Sequence, residues 1–363
     1  MEEKLLTFQL KNICQKIYMK TEGYFLTQKG DPNKAFELRP FEISSLENNE
    51  VIVEVEAFGL NYADVMARNG LYRGAPPMPC VLGYEAVGKV IEVGADSDAD
   101  LVGKRVIAFC RFGAYAKHVV TKNYAVIPVG DEDANELLAL CTQGVTAYYM
   151  AEYLAPVRKG DVVLIHAAAG GVGTLLIQMA KRRGATVIAK VGRLEKESLV
   201  KEMGADSVVN YRTGDYVEQV KQVLNGGRLD VSFNPAGGST FKKDMSLLGT
   251  GGRIFLFGGS ELSGSKWGIL SVFSFLFKMG RIIPVFLMGK SKSVLGVNML
   301  EFSDRKPEVL KFCLNEVVNL YKAGDLKPQS GGMYPANQLA EAHAALESGK
   351  TTGKLGVRIK NNH

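Results

Sequence analysis

The spacing of apolar residues changes near residue 130. Before that point they come in short alternating runs, as in Val51-Ile52-Val53-Glu54-Val55-Glu56-Ala57, and again over 87–93 and 104–109. A period of two residues predicts half-buried strands, and several such strands at close spacing predict a small barrel or sandwich. After residue 131 the runs lengthen. Residues 136–154 predict a long apolar helix, and Asp161-Val162-Val163-Leu164-Ile165-His166 has the apolar centre of a strand buried on both faces. Helices over 174–183, 196–203 and 216–224 alternate with strands over 186–191, 207–210, 229–233 and 252–257. Beyond them come a segment 293–299, helices over 307–323 and 337–346, and a last strand over 354–359. This alternation predicts βαβ units in a doubly wound parallel sheet. The chain reads as a barrel-like domain built from both chain ends, with an α/β domain inserted between them.

Composition narrows the class. The 363 residues suit about two domains. The 40 glycines exceed the usual ~7% share, which marks backbone positions that turn tightly or approach something closely. The net charge of +6 is spread along the chain, and its longest run, Lys181-Arg182-Arg183, reads as a solvated helix end. No nucleic-acid partner is expected, whereas an anionic small-molecule cofactor suits the excess. Five scattered cysteines with no C-x-x-C argue against a disulfide framework and for a reducing cytoplasm. The four histidines show no metal-ligand spacing, so no metal is expected. Residues 1–18 carry no long apolar core and read as no secretory signal. Residues 267–288 are apolar but interrupted by Lys278, Arg281 and Pro284. They read as a buried or substrate-lining helix, with an interfacial membrane patch as the alternative.

The most informative motif is His166-Ala-Ala-Ala-Gly170-Gly171-Val172-Gly173, set between a strand and a helix. It is the dinucleotide fingerprint with Ala168 in place of the first glycine. Gly170 and Gly171 would let the backbone approach a pyrophosphate, Gly173 would let helix and strand pack closely, and the helix N-terminus would face the negative charge. The second strand is followed by Gly192-Arg193-Leu194-Glu195-Lys196 rather than by the acidic residue of an NAD site. Arg193 and Lys196 can pair with a 2′-phosphate, which points to NADPH.

These residues, with Gly59-Leu-Asn61-Tyr-Ala-Asp64, Leu82-Gly-Tyr-Glu85-Ala-Val-Gly88, Gly144-Val-Thr146, Gly251-Gly-Arg-Ile-Phe-Leu-Phe257-Gly258-Gly259 and Thr352-Gly353-Lys354, resemble the medium-chain dehydrogenase/reductase superfamily. The similarity is to its zinc-free quinone oxidoreductase (zeta-crystallin-like) branch and runs from about residue 23 to 359. It implies a GroES-like β-barrel domain over 1–131 and 292–363 and a Rossmann NADP-binding domain over 132–291. It implies that Gly170, Gly171, Val172 and Gly173 hold the pyrophosphate and that Arg193, Lys196 and Tyr211 surround the 2′-phosphate. Phe257, Gly258, Gly259, Gly296, Val297 and Asn298 would edge the nicotinamide, with Asn61, Thr146 and Lys354 completing the cofactor site. Zinc-dependent relatives carry catalytic ligands where this chain has Asn61 and Tyr84, with Cys141 close to the third position. Asn and Tyr are poor zinc ligands. The segment 265–288 is longer and more apolar than in compact members and resembles the vesicle-membrane-protein-like relatives.

The expected reaction is hydride transfer from NADPH to a quinone or to the β-carbon of an α,β-unsaturated carbonyl in a cytoplasmic homodimer. Asn61 and Tyr72 are the candidate donors toward the acceptor oxygen, although the proton could equally come from solvent. His166 reads as a satisfied core residue rather than a base. The competing class is an NADPH-binding scaffold or membrane-associated protein with little turnover.

Overall fold

A computed structural model describes residues 19–262 and 269–359. The alternating segment around Val51 forms the strand Glu50–Leu60, which organises the first domain. It pairs antiparallel with Glu85–Val93, with His118–Lys122 and with the C-terminal strand Lys354–Arg358. Register places Leu355 opposite Leu60 and Val357 opposite Phe58, so the last strand closes the sheet begun by the first third of the chain. Arg105–Phe109, Val126–Pro128 and Ser330–Pro335 complete this seven-stranded sheet. A smaller sheet of Phe36–Ile43, Met19–Leu26 and Cys80–Val81 packs beside it.

The inserted domain is a six-stranded parallel sheet. Across the sheet the strands run Ser207–Asn210, Thr186–Val191, Val162–Ile165, Leu229–Asn234, Leu248–Leu256 and Ser293–Gly296. Numbered in chain order within the domain this is 3-2-1-4-5-6, the dinucleotide-binding order, whose switch point lies beside the strand Val162–Ile165. The expected boundary at residue 291 falls short. Strand Ser293–Gly296 pairs in parallel with Leu248–Leu256, because its apolar Val294 and Leu295 complete the sheet edge rather than the barrel.

The long helix predicted over 136–154 starts earlier, at Ala134, where the Asp133 carboxylate caps the amides of Asn135 and Glu136. It runs to Leu154 through two π-helical stretches, Leu140–Gly144 and Tyr149–Leu154. The helix packs against the seven-stranded sheet on one side and helix Gly171–Arg182 on the other, and one apolar cluster spans Ala57 and Ile107 of the first domain and Val163 and Phe233 of the second. Helices Tyr62–Arg68, Ser239–Leu247 and Met299–Arg305 and the single turn Pro32–Ala35 went unpredicted.

The expectation of burial for 267–288 is overturned. Trp267 lies outside the described residues, but helices Ile269–Met279 and Pro284–Lys290 carry Phe273, Phe277, Phe286 and Met288 exposed to solvent. Apolar content alone does not supply a partner, and among the described residues these faces are left uncovered.

Candidate cofactor and active site

The strand Val162–Ile165 ends at His166, and the chain turns through Ala167 with a left-handed φ of 48° into the helix Gly171–Arg182. Gly170 caps that helix without any side chain, which leaves its first amides available to an anion. Gly173 is required by packing: a Cβ there would lie 2.5 Å from the Ala167 carbonyl oxygen and 2.6 Å from that of Ala168. Gly171 is crowded by the Gln143 side chain. The barrel domain reaches this turn directly, since the Gly353 amide donates to the Ala169 carbonyl at 2.9 Å.

Beyond strand Thr186–Val191 the predicted cations gather. Arg193 has a buried Nε with no hydrogen-bond partner, an orphan donor that suits a bound anion. Lys196 has its pKa lowered, first by burial and then by repulsion from Arg193 and Arg212, so these cations are held near one another. Tyr211 lays its hydroxyl over Gly192, where any Cβ would collide with it. Lys196 also donates to the carbonyls of Gly349 (2.9 Å) and Thr351 (2.6 Å), tying this turn to the barrel domain. Glu195 is exposed.

Sequence reasoning missed a polar cluster beneath this end of the sheet. Lys190 is 7% exposed and contacts His166 Nδ1 at 3.1 Å, with its ammonium 3.9 Å from the Tyr216 ring centre. His166 Nε2 lies 3.1 Å from Asp244 Oδ1, which also accepts from the Tyr216 hydroxyl, while Oδ2 accepts from Ser232 and Asn234. Burial pulls the Lys190 pKa down to about 8, and burial also lowers that of His166. His166 is thus a satisfied core residue. The available signal was a lysine inside the otherwise apolar run Thr186-Val-Ile-Ala-Lys190-Val191.

At the opposite side of the switch point, the Phe257 amide donates to the Asn234 carbonyl at 3.3 Å, and a Cβ on Gly258 would lie 2.5 Å from the Pro235 carbonyl oxygen. The Val297 amide donates to Leu256, which places residues 296–298 beside that turn. Asn298 spends its carbonyl on capping helix Met299–Arg305, and the Thr146 hydroxyl donates to the Thr142 carbonyl at 2.6 Å. Each of these bonds fixes the orientation of its side chain.

Asn61 heads helix Tyr62–Arg68, and its carboxamide enters a buried cluster. Nδ2 donates to Glu85 Oε1 at 2.7 Å, while Oδ1 accepts from Lys354 Nζ at 3.2 Å and from Gln143 Nε2 at 3.4 Å. Lys354 and Glu85, both 0% exposed, form an ion pair, and Lys354 also donates to the Leu60 carbonyl. Lys354, expected at the cofactor, lies buried beneath Asn61. Its ammonium is shared by Glu85, Asn61 and the Leu60 carbonyl, so it fixes Asn61 and Glu85 in place. Asp64 accepts the Asn61 amide on Oδ2, its other oxygen has no partner, and burial raises its pKa to about 7.

Tyr72 is half-buried at the rim of this cluster, its ring 6.3 Å from that of Tyr84. Burial raises the phenol pKa of both. A zinc ion does not fit here. The Lys354 ammonium already occupies Glu85, Asn61 and Tyr84 are weak ligands, and burial holds the Cys141 thiol protonated. Among the described residues no three His, Cys, Asp or Glu side chains converge on a metal-sized position.

Two family models match: "Alcohol dehydrogenase GroES-like domain" over residues 47–131 and "Zinc-binding dehydrogenase" over 171–315. A probable quinone oxidoreductase of Schizosaccharomyces pombe is 31% identical over 332 residues, covering 90% of this chain and 94% of the relative. The synaptic vesicle membrane protein VAT-1 homolog of Danio rerio is 30% identical over 86% of this chain, which spans 64% of that relative's length. Among solved structures, Escherichia coli quinone oxidoreductase complexed with NADPH superposes with a TM-score of 0.79 at 28% identity, covering 93% of this chain and all of the other. The glycine turn at the switch point, the two-ended barrel domain and these matches agree: the chain belongs to the medium-chain dehydrogenase/reductase superfamily as a quinone oxidoreductase-like member.

Proposed function

We propose that this chain is an NADPH-dependent oxidoreductase that reduces a quinone or an α,β-unsaturated carbonyl without zinc. The observation that carries the reading is the pair of sites at the switch point: an uncapped helix N-terminus behind Gly170 and, one strand away, Arg193 with an unpartnered Nε beside Lys196 and Tyr211. Bound there, NADPH supplies the hydride. The backbone of 170–173 holds the pyrophosphate. Arg193, with Lys196 and Tyr211, selects the 2′-phosphate, because an exposed Glu195 is the only acid in that turn. Phe257 and Gly258 give the nicotinamide a flat edge.

On the barrel side, negative charge develops on the acceptor oxygen as hydride arrives. Tyr72 stays protonated through neutral pH and can donate to that oxygen, and the second Nδ2 proton of Asn61 is free of Glu85. Lys354 and Gln143 lock the carboxamide so that this proton keeps a fixed direction. The final proton comes from Tyr72 or solvent. Buried, unpaired Cys80, Cys110, Cys141 and Cys313 suit a reducing cytoplasm. Strand Ser293–Gly296 forms an outer edge of the parallel sheet, which suits a homodimer.

The test is a comparison of NADPH and NADH binding by the full chain. NADPH binds at least tenfold tighter, and Arg193→Ala with Lys196→Ala removes the difference; equal affinities in the wild type refute the assignment. A second reading, an NADPH-binding scaffold with little turnover, draws on the exposed apolar helices 269–290. Binding without NADPH oxidation across a panel of quinones and enones would favour it.

A further inference from the structure

Lys190 is the one charged side chain in the strand Thr186–Val191, and it is buried with most of its ammonium unspent. A lysine carries three donors and no acceptor. One donates to His166 Nδ1 at 3.1 Å, which leaves the Nε2 proton of His166 for Asp244. The ammonium makes no other hydrogen bond among the described residues, and rests 3.9 Å from the Tyr216 ring centre and 5.1 Å from that of Tyr211. Asp244 reaches it only across the His166 ring, because its two oxygens already take His166, Tyr216, Ser232 and Asn234. The other charges nearby are spent elsewhere: Lys243 pairs with Asp215 at 2.8 Å, and Glu261 with Lys278 at 3.1 Å. Burying an ammonium without a direct counter-ion is costly, and a neutral hydroxyl would donate to His166 without that penalty. The bond to His166 therefore does not account for a charged side chain at this position.

We infer that Lys190 is a specificity-determining cation, drawing the adenosine 2′-phosphate of NADPH toward the Gly192–Arg193 turn from beneath Tyr211. The inference rests on the NADPH reading above and adds to it a residue from inside the sheet. Place supports it. Lys190 stands two residues before Gly192, at the end of the second strand of a dinucleotide-binding sheet, where the adenosine ribose lies in this fold. The Tyr211 hydroxyl lies over Gly192 while its ring faces the ammonium, so one aromatic side chain spans the buried cation and the turn. Charge supports it as well. Lys190, Arg193, Lys196 and Arg212 enter no ion pair among the described residues, a surplus that matches a phosphate dianion. Arg212 is exposed and screened by water and salt, whereas the field of the buried Lys190 is screened far less. Contact with the adenine ring alone would help NADH and NADPH equally, so the phosphate is what a preference between them reads.

The test is calorimetric titration of the full chain with NADPH and with NADH. Lys190→Met weakens NADPH at least ~fivefold and leaves NADH within about twofold, while Lys190→Arg keeps most of the NADPH affinity. The pH profile separates charge from shape. Burial brings the Lys190 pKa down to about 8; Asp244 raises it, Lys243 lowers it, and Asp215 and Glu261 raise it. His166 and Tyr216 stay neutral across that range, because burial lowers the one pKa and raises the other. A bound dianion favours the protonated lysine, so wild-type NADPH affinity falls at least ~threefold between about pH 7 and about pH 9.5. Lys190→Arg and Lys190→Met lose that fall. An NADPH-to-NADH ratio that Lys190→Met leaves unchanged overturns the inference, as does equal weakening of both nucleotides, which would assign the lysine to the adenine or to the fold. Where the methionine variant does not fold, a flat wild-type profile, or the same fall in Lys190→Arg, overturns it. Wild-type protein with no preference for NADPH refutes the cofactor reading and the inference with it, so the two failures are told apart.

Discussion

Replacing Lys354 with methionine removes the cation from the buried cluster of Asn61, Asp64 and Glu85 while keeping most of the side-chain volume. In the native protein Glu85 accepts from Lys354, from Asn61 Nδ2 and from the Thr142 amide, and neither member of the ion pair is exposed. The variant leaves the carboxylate with two neutral donors and no counter-charge. Breaking a buried pair in this way costs ~3–5 kcal/mol, because the remaining charge keeps its desolvation penalty and loses its partner. That corresponds to a fall in melting temperature on the order of 5–10 °C. Glu85→Gln alone strands the ammonium and should cost a comparable amount. The double variant restores neutrality, so its loss should fall short of the summed single losses by at least ~2 kcal/mol. Thermal and urea unfolding of the four proteins complete the cycle. A Lys354→Met loss below ~1 kcal/mol, or additive single losses, would refute the view that Lys354 is a structural counter-ion and would reopen its assignment to the cofactor site.

The stability contribution of Asp64 runs against pH in the opposite sense to that of a carboxylate held by an ion pair. Its folded pKa of about 7 lies above the ordinary 3.8, so its stabilising contribution is complete below 3.8 and is lost as pH rises through 7. Asp64→Asn keeps an acceptor for the Asn61 amide and should raise stability by up to about 4 kcal/mol at pH 8, with the gain vanishing near pH 4 in urea titrations; a gain that grows toward acid pH contradicts the assignment. Gly173→Ala drives a Cβ against the carbonyls of Ala167 and Ala168. It should cost ~1–3 kcal/mol and weaken NADPH at least tenfold by calorimetry, whereas unchanged affinity would free the turn from the pyrophosphate.

The sequence alone determined much of the frame, because local pattern and turn chemistry are local properties. The strands Thr186–Val191 and Ser207–Asn210 and the helix Tyr216–Leu224 begin and end where periodicity placed them. The glycine turn was legible because its residues are contiguous and each glycine answers to a backbone constraint. What contacts decide was not legible. Glu85 and Lys354 are 269 positions apart, and neither residue announces that it is buried against the other. The cluster of Lys190, His166, Asp244 and Tyr216 is assembled from four separate segments, so its only local trace was one lysine in an apolar strand. Residues 273–288 show the limit most directly: hydropathy fixed that they avoid water. Only the tertiary structure, which leaves them uncovered among the described residues, decided that they face outward.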